Sequence, residues 1–295
     1  MTSVPHVSRR WKVALAVLKR LPQGPISGFT GWLASRRIPH PMRPAVIGAF
    51  VRATGIDLSE AVGRKKDFPS VSACFTRALK PDARSWPAEE GVPASPVDGV
   101  VGACGRIEDE LLVQAKGIEY RLEELLALGR GDEARAERWN GGHFFTLYLS
   151  PRHYHRIHSP VTGTVTRSEA VPGRLLPVNE PAVASIPRLF STNARRILEL
   201  ETEWGRAPGR RSSVALVAVG AFNVGRITLT GPVAPGLEVA RGREVARFDL
   251  GSTVVLLLGP EAGDIPRARG VRAGRPIRLG DPLLAGPVPG PSTPA

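Results

Sequence analysis

Asp249-Leu250-Gly251-Ser252-Thr253 runs directly into the apolar stretch 254–258. A serine placed after a glycine at the mouth of a β-branched strand can turn its hydroxyl onto the preceding carbonyl. The reaction this permits is an N-to-O acyl shift, in which Ser252 Oγ adds to the Gly251 carbonyl and the amide becomes an ester. Glycine suits the position because it lacks Cβ, so bent geometry costs little and the carbonyl face stays open. Elimination from the ester leaves dehydroalanine, which hydrolyses to a pyruvoyl group with loss of ammonia, and one chain becomes two. Gly-Ser-Thr also occurs in ordinary turns, so the rest of the sequence has to decide.

Attack by Ser252 needs a base, because a free hydroxyl is a poor nucleophile near neutral pH. Four of the six histidines, His143, His153, His155 and His158, lie within sixteen residues. One reading makes His153, His155 and His158 ligands of zinc or iron, with His153 and His155 on one strand face, but no carboxylate or cysteine nearby completes a usual set. The other makes one histidine the base for Ser252 and a second a proton handler in later chemistry. A base histidine is normally oriented by a carboxylate, and Asp98 in Pro96-Val97-Asp98-Gly99, ahead of the strand-like Val100-Val101, is the candidate. An Asp-Gly pair is by itself most often a turn.

These residues need elements to hold them. From about residue 92 short β-type runs alternate with turns, and strands are expected over 143–149, 163–167, 174–178, 197–201, 214–222, 226–229, 245–250 and 253–258. Leu122, Leu125 and Leu126 mark one helix among them. The charged, Gly-bounded segment 129–141 reads as a mobile surface loop, and 285–295, rich in Pro, Gly and Ser, as a disordered tail. The first third differs. Trp11, Ala14, Leu15 and Leu18 have helical spacing with Lys12 and Lys19 opposite, as in a helix lying in a membrane interface or packed on its own domain. A second helix opens at Pro44, carries Ile47, Phe50 and Val51, and closes at Gly55. A third follows Ser70 with Val71, Cys74, Phe75 and Leu79 and stops at Lys80-Pro81.

Charge follows the same division. The net charge is +13, and residues 1–84 hold 15 Lys and Arg against 4 Asp and Glu, or 15 − 4 = +11. An anionic partner for that third follows, and without a zinc-finger spacing, an aromatic RNA-binding pattern or a basic heptad helix, lipid is favoured over nucleic acid. No run reaches the roughly 18 apolar residues that span a bilayer, so attachment would be peripheral. Ser8-Arg9-Arg10-Trp11-Lys12 has a twin-arginine look, but the apolar stretch after it is short and closed by Lys19-Arg20. Cys74 and Cys104 form neither a metal spacing nor a disulfide framework, which fits a reducing compartment.

The segment 150–160, Ser-Pro-Arg-His-Tyr-His-Arg-Ile-His-Ser-Pro, together with Pro96-Val97-Asp98-Gly99 and Leu250-Gly251-Ser252-Thr253, closely resembles the phosphatidylserine decarboxylase proenzymes of the long bacterial type. The likeness is collinear over nearly the whole chain and includes Leu21-Pro22, Gly31-Trp32, Gln114-Ala115-Lys116-Gly117, Val178-Asn179, Asn193 and Asn223-Val224-Gly225. The resemblance implies self-cleavage between Gly251 and Ser252 into a β chain of residues 1–251 and an α chain of 252–295, with Ser252 converted to a covalent pyruvoyl cofactor. It implies that Asp98, His158 and Ser252 are the processing triad and that His155 assists decarboxylation, although exchanged roles for the two histidines fit equally well. Lipid serine would form a Schiff base with the pyruvoyl ketone, lose carbon dioxide and leave phosphatidylethanolamine. Departures from the pattern are His153 where relatives carry Asp, adding a cation beside His155, Asn193-Ala194-Arg195 for Asn-Glu-Arg, and a longer 129–141 loop.

The expected molecule is therefore α+β: a basic helical membrane-associating region over 1–84 and a β-rich catalytic domain over 85–284, ahead of the tail. It would sit peripherally on the cytoplasmic face of the cell membrane, as a homodimer, with phosphatidylserine as partner, no nucleic acid and no metal. Two alternatives stay open. One is a hydrolase using Asp98, His158 and Ser252 on an external lipid ester without self-cleavage; the other is a non-catalytic anionic-lipid-binding protein. Denaturing electrophoresis separates the hydrolase from the self-cleaving reading, since only cleavage yields a piece of 295 − 251 = 44 residues, and the lipid-binding reading predicts that Ser252→Ala keeps every activity.

Overall fold

The computed structural model describes residues 15, 20–115, 118–202, 211–222, 227–249 and 252–287. Of the helix expected over 11–20 only Leu15, which is buried, and Arg20 are described; Gly251, 116–117, 223–226 and the tail beyond 287 lie outside those residues.

The body is sheet. Thirteen strands are described: β1 (Gly99–Arg106), β2 (Leu111–Ala115), β3 (Ile118–Arg121), β4 (His143–Leu149), β5 (Arg156–His158), β6 (Gly163–Val171), β7 (Arg195–Thr202), β8 (Ser212–Val219), β9 (Ile227–Leu229), β10 (Glu238–Val239), β11 (Glu244–Phe248), β12 (Ser252–Leu258) and β13 (Pro276–Ile277). Eight form one antiparallel sheet in the order β10-β6-β7-β8-β12-β4-β1-β13, while β5-β11-β9 and β2-β3 form smaller ones. With β-branched and leucine side chains throughout, β12 suits the middle of this sheet, and every one of its residues is buried. By contrast β6, nearer an edge, buries only Gly163 and Val165 and leaves the rest of its length partly or fully exposed.

Register fixes the geography of the site. β12 runs antiparallel to β4 from Ser252 opposite Leu149 to Leu258 opposite His143. On the other side of β4, β1 sets Val100 opposite Tyr148, with a bulge between Val101 and Ala103. Asp98, Leu149 and Ser252 thus meet at one end of the sheet. His143 lies at the other end, about 20 Å away along β4, so the four-histidine cluster is split by the strand that begins with its first member.

The helical layer precedes the sheet. Helix Arg43–Thr54 opens with Pro44 and closes at Gly55, whose φ of 72° is the left-handed cap glycine adopts without strain. Ser70 Oγ accepts from the Ala73 amide at the start of the next helix. That helix ends at Phe75, earlier than expected, because Leu79 instead pairs with Ala61 in an isolated bridge. Ile47, Ala61, Phe68 and Cys74 form a small core of their own. A further helix, Gln23–Ser35, bears no strong sequence signal, being interrupted by Gly24, Pro25, Gly28 and Gly31. No helix among the described residues is long and apolar enough to cross a membrane.

Two expectations are corrected. Segment 129–141 is not a mobile surface loop: it contains the helix Glu133–Glu137 and buries Ala136 and Trp139 in the main core, while Arg135 and Arg138 pair with Glu199. No strand forms over 174–178, where only Arg174 bridges to Asn193. Asn193 is committed to the main chain, donating to the carbonyls of Leu176 and Gly220 at 2.8 Å each and accepting from the Leu176 amide.

Candidate active site

Ser252 opens the central strand and is fully buried, and its Oγ has no hydrogen-bond partner among the described residues. A buried hydroxyl left unpaired is destabilising, and such atoms in a native fold call for an explanation. Leu149, opposite it, is followed by the turn that carries the histidines. Within that turn the Ser150 amide and hydroxyl donate to His153 Nδ1 at 3.0 and 3.1 Å. His153 is therefore no cation beside His155: burial first, then Arg152, push its pKa down. Both His153 and His155 lie ahead of β5, so the expected shared strand face is not formed.

His155 is wholly enclosed. Its ring packs at 4.0 Å on Phe75, Nδ1–H donates to the His153 carbonyl at 2.9 Å, and Nε2 has no hydrogen-bond partner among the described residues. Burial lowers its pKa to about 3, against the favourable carbonyls of His153 and Leu149. Leu149 is thus the common neighbour of His155 and, across the ladder, of Ser252. Two orphaned buried polar atoms, Ser252 Oγ and His155 Nε2, lie at the same end of the sheet.

His158 closes β5. Its Nδ1–H donates to the Gly242 carbonyl at 2.7 Å, which fixes the tautomer and leaves Nε2 as the acceptor, and Nε2 receives the Tyr154 hydroxyl at 3.0 Å. Burial lowers this pKa as well, so the ring is a neutral base at pH 7. Its backbone N–H donates to the Pro96 carbonyl, tying β5 to the segment before Asp98.

Asp98 is placed otherwise than its assigned role suggests. Arg84 grips it with two donors, Nε to Oδ1 at 3.0 Å and Nη2 to Oδ2 at 2.5 Å, and the Leu279 amide donates to Oδ1 at 2.8 Å. Burial opposes the charge of Arg84, but Asp98 and Glu60 hold it on. The expected Asp98 to His158 hydrogen bond is not formed; Asp98 acts on that ring only through space. Asp98 stands next to Gly99, where a Cβ would lie 2.7 Å from the Tyr148 carbonyl, so only glycine lets β1 approach β4 here.

Phe75, Arg77, Arg84, Tyr154 and Gly242 complete the surroundings. Tyr154 stood inside the recognised motif, whereas the other four carried no signal, because their partners are separated from them by 14 to 84 residues. Arg77, Arg84, Asp98, Arg152, His153 and Tyr154 line a cleft of about 270 Å³. Among the described residues no three His, Cys, Asp or Glu side chains gather as a metal site.

A buried serine hydroxyl with no partner among the described residues, at the end of the sheet where neutral histidines lie, is what self-processing would require. Comparison with known proteins gives the family. The family model described as phosphatidylserine decarboxylase matches residues 71–285. The phosphatidylserine decarboxylase proenzyme of Anaeromyxobacter sp. (strain K) is 40% identical over 291 residues, covering 92% of this chain and 98% of the relative. Those of Halorhodospira halophila and Methylococcus capsulatus are 43% and 37% identical, covering 92% of this chain in each case and 93% and 95% of the relatives. Agreement of that extent, end to end, means that the chain belongs to the phosphatidylserine decarboxylase family.

Proposed function

We propose that this protein decarboxylates phosphatidylserine to phosphatidylethanolamine, using a pyruvoyl group that it makes from Ser252 by breaking its own Gly251-Ser252 bond. The observation that carries this reading is the Ser252 hydroxyl: fully buried, without a hydrogen-bond partner among the described residues, and first in the central strand. A hydroxyl retained there only for stability would be better replaced by a methyl group. Those surroundings suit a group built from the side chain itself. A ketone at this position supplies an electron sink for an amine-bearing substrate.

The chain's own residues have separable tasks. His158, with Nδ1–H committed to Gly242, takes the Ser252 hydroxyl proton on Nε2 during processing, the Tyr154 hydroxyl that donates there in this structure giving way. Asp98 supports the charged ring at longer range and, through Arg84, fixes the helical layer to the sheet. His155, neutral and enclosed, handles a proton at Nε2 during decarboxylation. Phe75, itself fully buried and packed on the His155 ring, excludes water there, which favours loss of a carboxylate as neutral gas.

Access to a lipid substrate would come through the helical layer, with the protein peripheral on the cytoplasmic face of the membrane. Phe29, Trp32 and Leu33 share one face of the helix Gln23–Ser35 and are exposed, with Arg36 stacked over Trp32 at 3.8 Å. Apolar side chains beside cations suit a headgroup boundary. Intact mass of the purified protein tests the central step. Two chains of 251 and 44 residues are expected, the smaller reactive with hydroxylamine; one unbroken, unreactive chain overturns the proposal and leaves the external-ester hydrolase as the alternative.

A further inference from the structure

We propose that Arg77 and Arg152 form the receptor for the phosphodiester of the lipid headgroup, in the cleft beside Asp98. The inference rests on the decarboxylase reading of Ser252. Arg77 is only 5% exposed and lines the cleft. Its Nη atoms face the carbonyls of Phe75, Arg152 and His153 at 3.5, 3.1 and 3.4 Å, and Nε has no partner among the described residues. No carboxylate among the described residues is paired with it; Asp98 and Asp57 act on it only through space. A buried guanidinium without a counter-ion is costly, and an anion in the cleft removes that penalty.

The other cations of the cleft are engaged. Arg84 is taken by Asp98 and Glu60, and Arg278 by Glu60. Arg152 stands exposed at the mouth, with no side-chain hydrogen bond or ion pair among the described residues, so it can reach an incoming group while Arg77 supplies charge from behind. Arginine matches phosphate geometry with paired donors.

Between the two anionic groups of the headgroup, reaction chemistry favours the phosphodiester. A guanidinium on the carboxylate would stabilise the charge that decarboxylation must discharge, lowering the ground state more than the transition state. The phosphodiester keeps its charge throughout, so gripping it positions without penalising. The charge of Arg77 is felt at His153 and His155, and Asp98 is about two interstrand spacings, or ~10 Å, from Ser252. The cleft therefore opens beside the reacting end of the sheet.

The test uses full-length wild type, Arg152→Ala, Arg77→Gln and Arg77→Lys. Each is first checked for its two fragments and for hydroxylamine reactivity, then assayed on phosphatidylserine in mixed micelles with glycerol phosphate or propionate as competitor. Arg152→Ala should raise KM about tenfold at unchanged kcat, the worth of one charge-assisted hydrogen bond. Arg77→Gln should lose more, with part restored in Arg77→Lys, and glycerol phosphate should compete with wild type better than with either neutral variant. Cut, ketone-bearing Arg152→Ala with wild-type KM overturns the assignment, as does competition by propionate in place of glycerol phosphate. If Arg77→Gln fails to fold, the exposed Arg152 position still decides. An uncut wild type instead sinks the reading of Ser252, and this inference with it.

Discussion

Helix Gln23–Ser35 turns Phe29, Trp32 and Leu33 outward, 62%, 51% and 57% exposed, whereas β12 buries each of its seven residues. A helix that leaves aromatic side chains in water gives up the free energy of their burial unless something else covers them. A strand enclosed on both faces and paired on both edges has no freedom to rearrange. The proposed membrane contact and the proposed self-directed chemistry make these opposite demands, and they fall in separate layers.

The layers nonetheless meet at the site. Phe75 stacks on His155, Arg77 donates to the His153 carbonyl, and Arg84 holds Asp98, all three from the segment just after the small helical core. The helical region is therefore part of the wall around the candidate site as well as the proposed docking surface.

The largest effect should come from the rigid layer. Ser252→Ala should leave a single chain with no decarboxylation, seen by electrophoresis and carbon dioxide release; a cut variant would break the contrast between the layers at its strongest point. Next, His158→Gln should stop cleavage, while His155→Gln should still yield two chains but turn over ~10²–10⁴-fold more slowly, the usual weight of a proton-transfer residue. Measuring cleavage and turnover separately also settles the alternative in which the two histidines exchange roles.

At the seam, Phe75→Ala removes a fully buried ring and should cost about 3–5 kcal/mol in denaturant unfolding. Acid should act on the same place. His155 titrates at about 3 in the fold against an ordinary 6.5, so the unfolded chain binds more protons between those values and stability falls as pH drops through that window. His153 and His158, also lowered by burial, add to the trend. Melting temperature against pH should show it, and His155→Phe should flatten the slope. The smallest change in stability belongs to the docking layer. Phe29→Ser with Trp32→Ser should shift unfolding by only ~0.5 kcal/mol yet weaken sedimentation with anionic vesicles, and unaltered vesicle binding would remove this helix from the proposed docking surface.

Much of the frame was legible from local pattern. The β-type runs 253–258 and 143–149 fall on the two strands that carry the site, and Pro44 and Gly55 bracket their helix, because β-branching, fixed φ and permitted positive φ act on the residue that has them. Segment 129–141 was misread because two buried residues, Ala136 and Trp139, are diluted among charges whose partner, Glu199, lies far along the chain. Strand β13, two residues long, offered no periodicity at all.

By itself the sequence determined the chemically distinctive residues, Ser252 after glycine and histidines set two and three apart, since reactivity is a property of side-chain type and immediate neighbours. Tertiary structure alone decided which of them meet. It sent His143 to the far end of β4, gave Asp98 to Arg84 rather than to His158, and enclosed His155 against Phe75. Those choices depend on strand register and on packing between segments tens of residues apart, and no local pattern encodes the free energy of contacts that exist only once the chain has closed on itself.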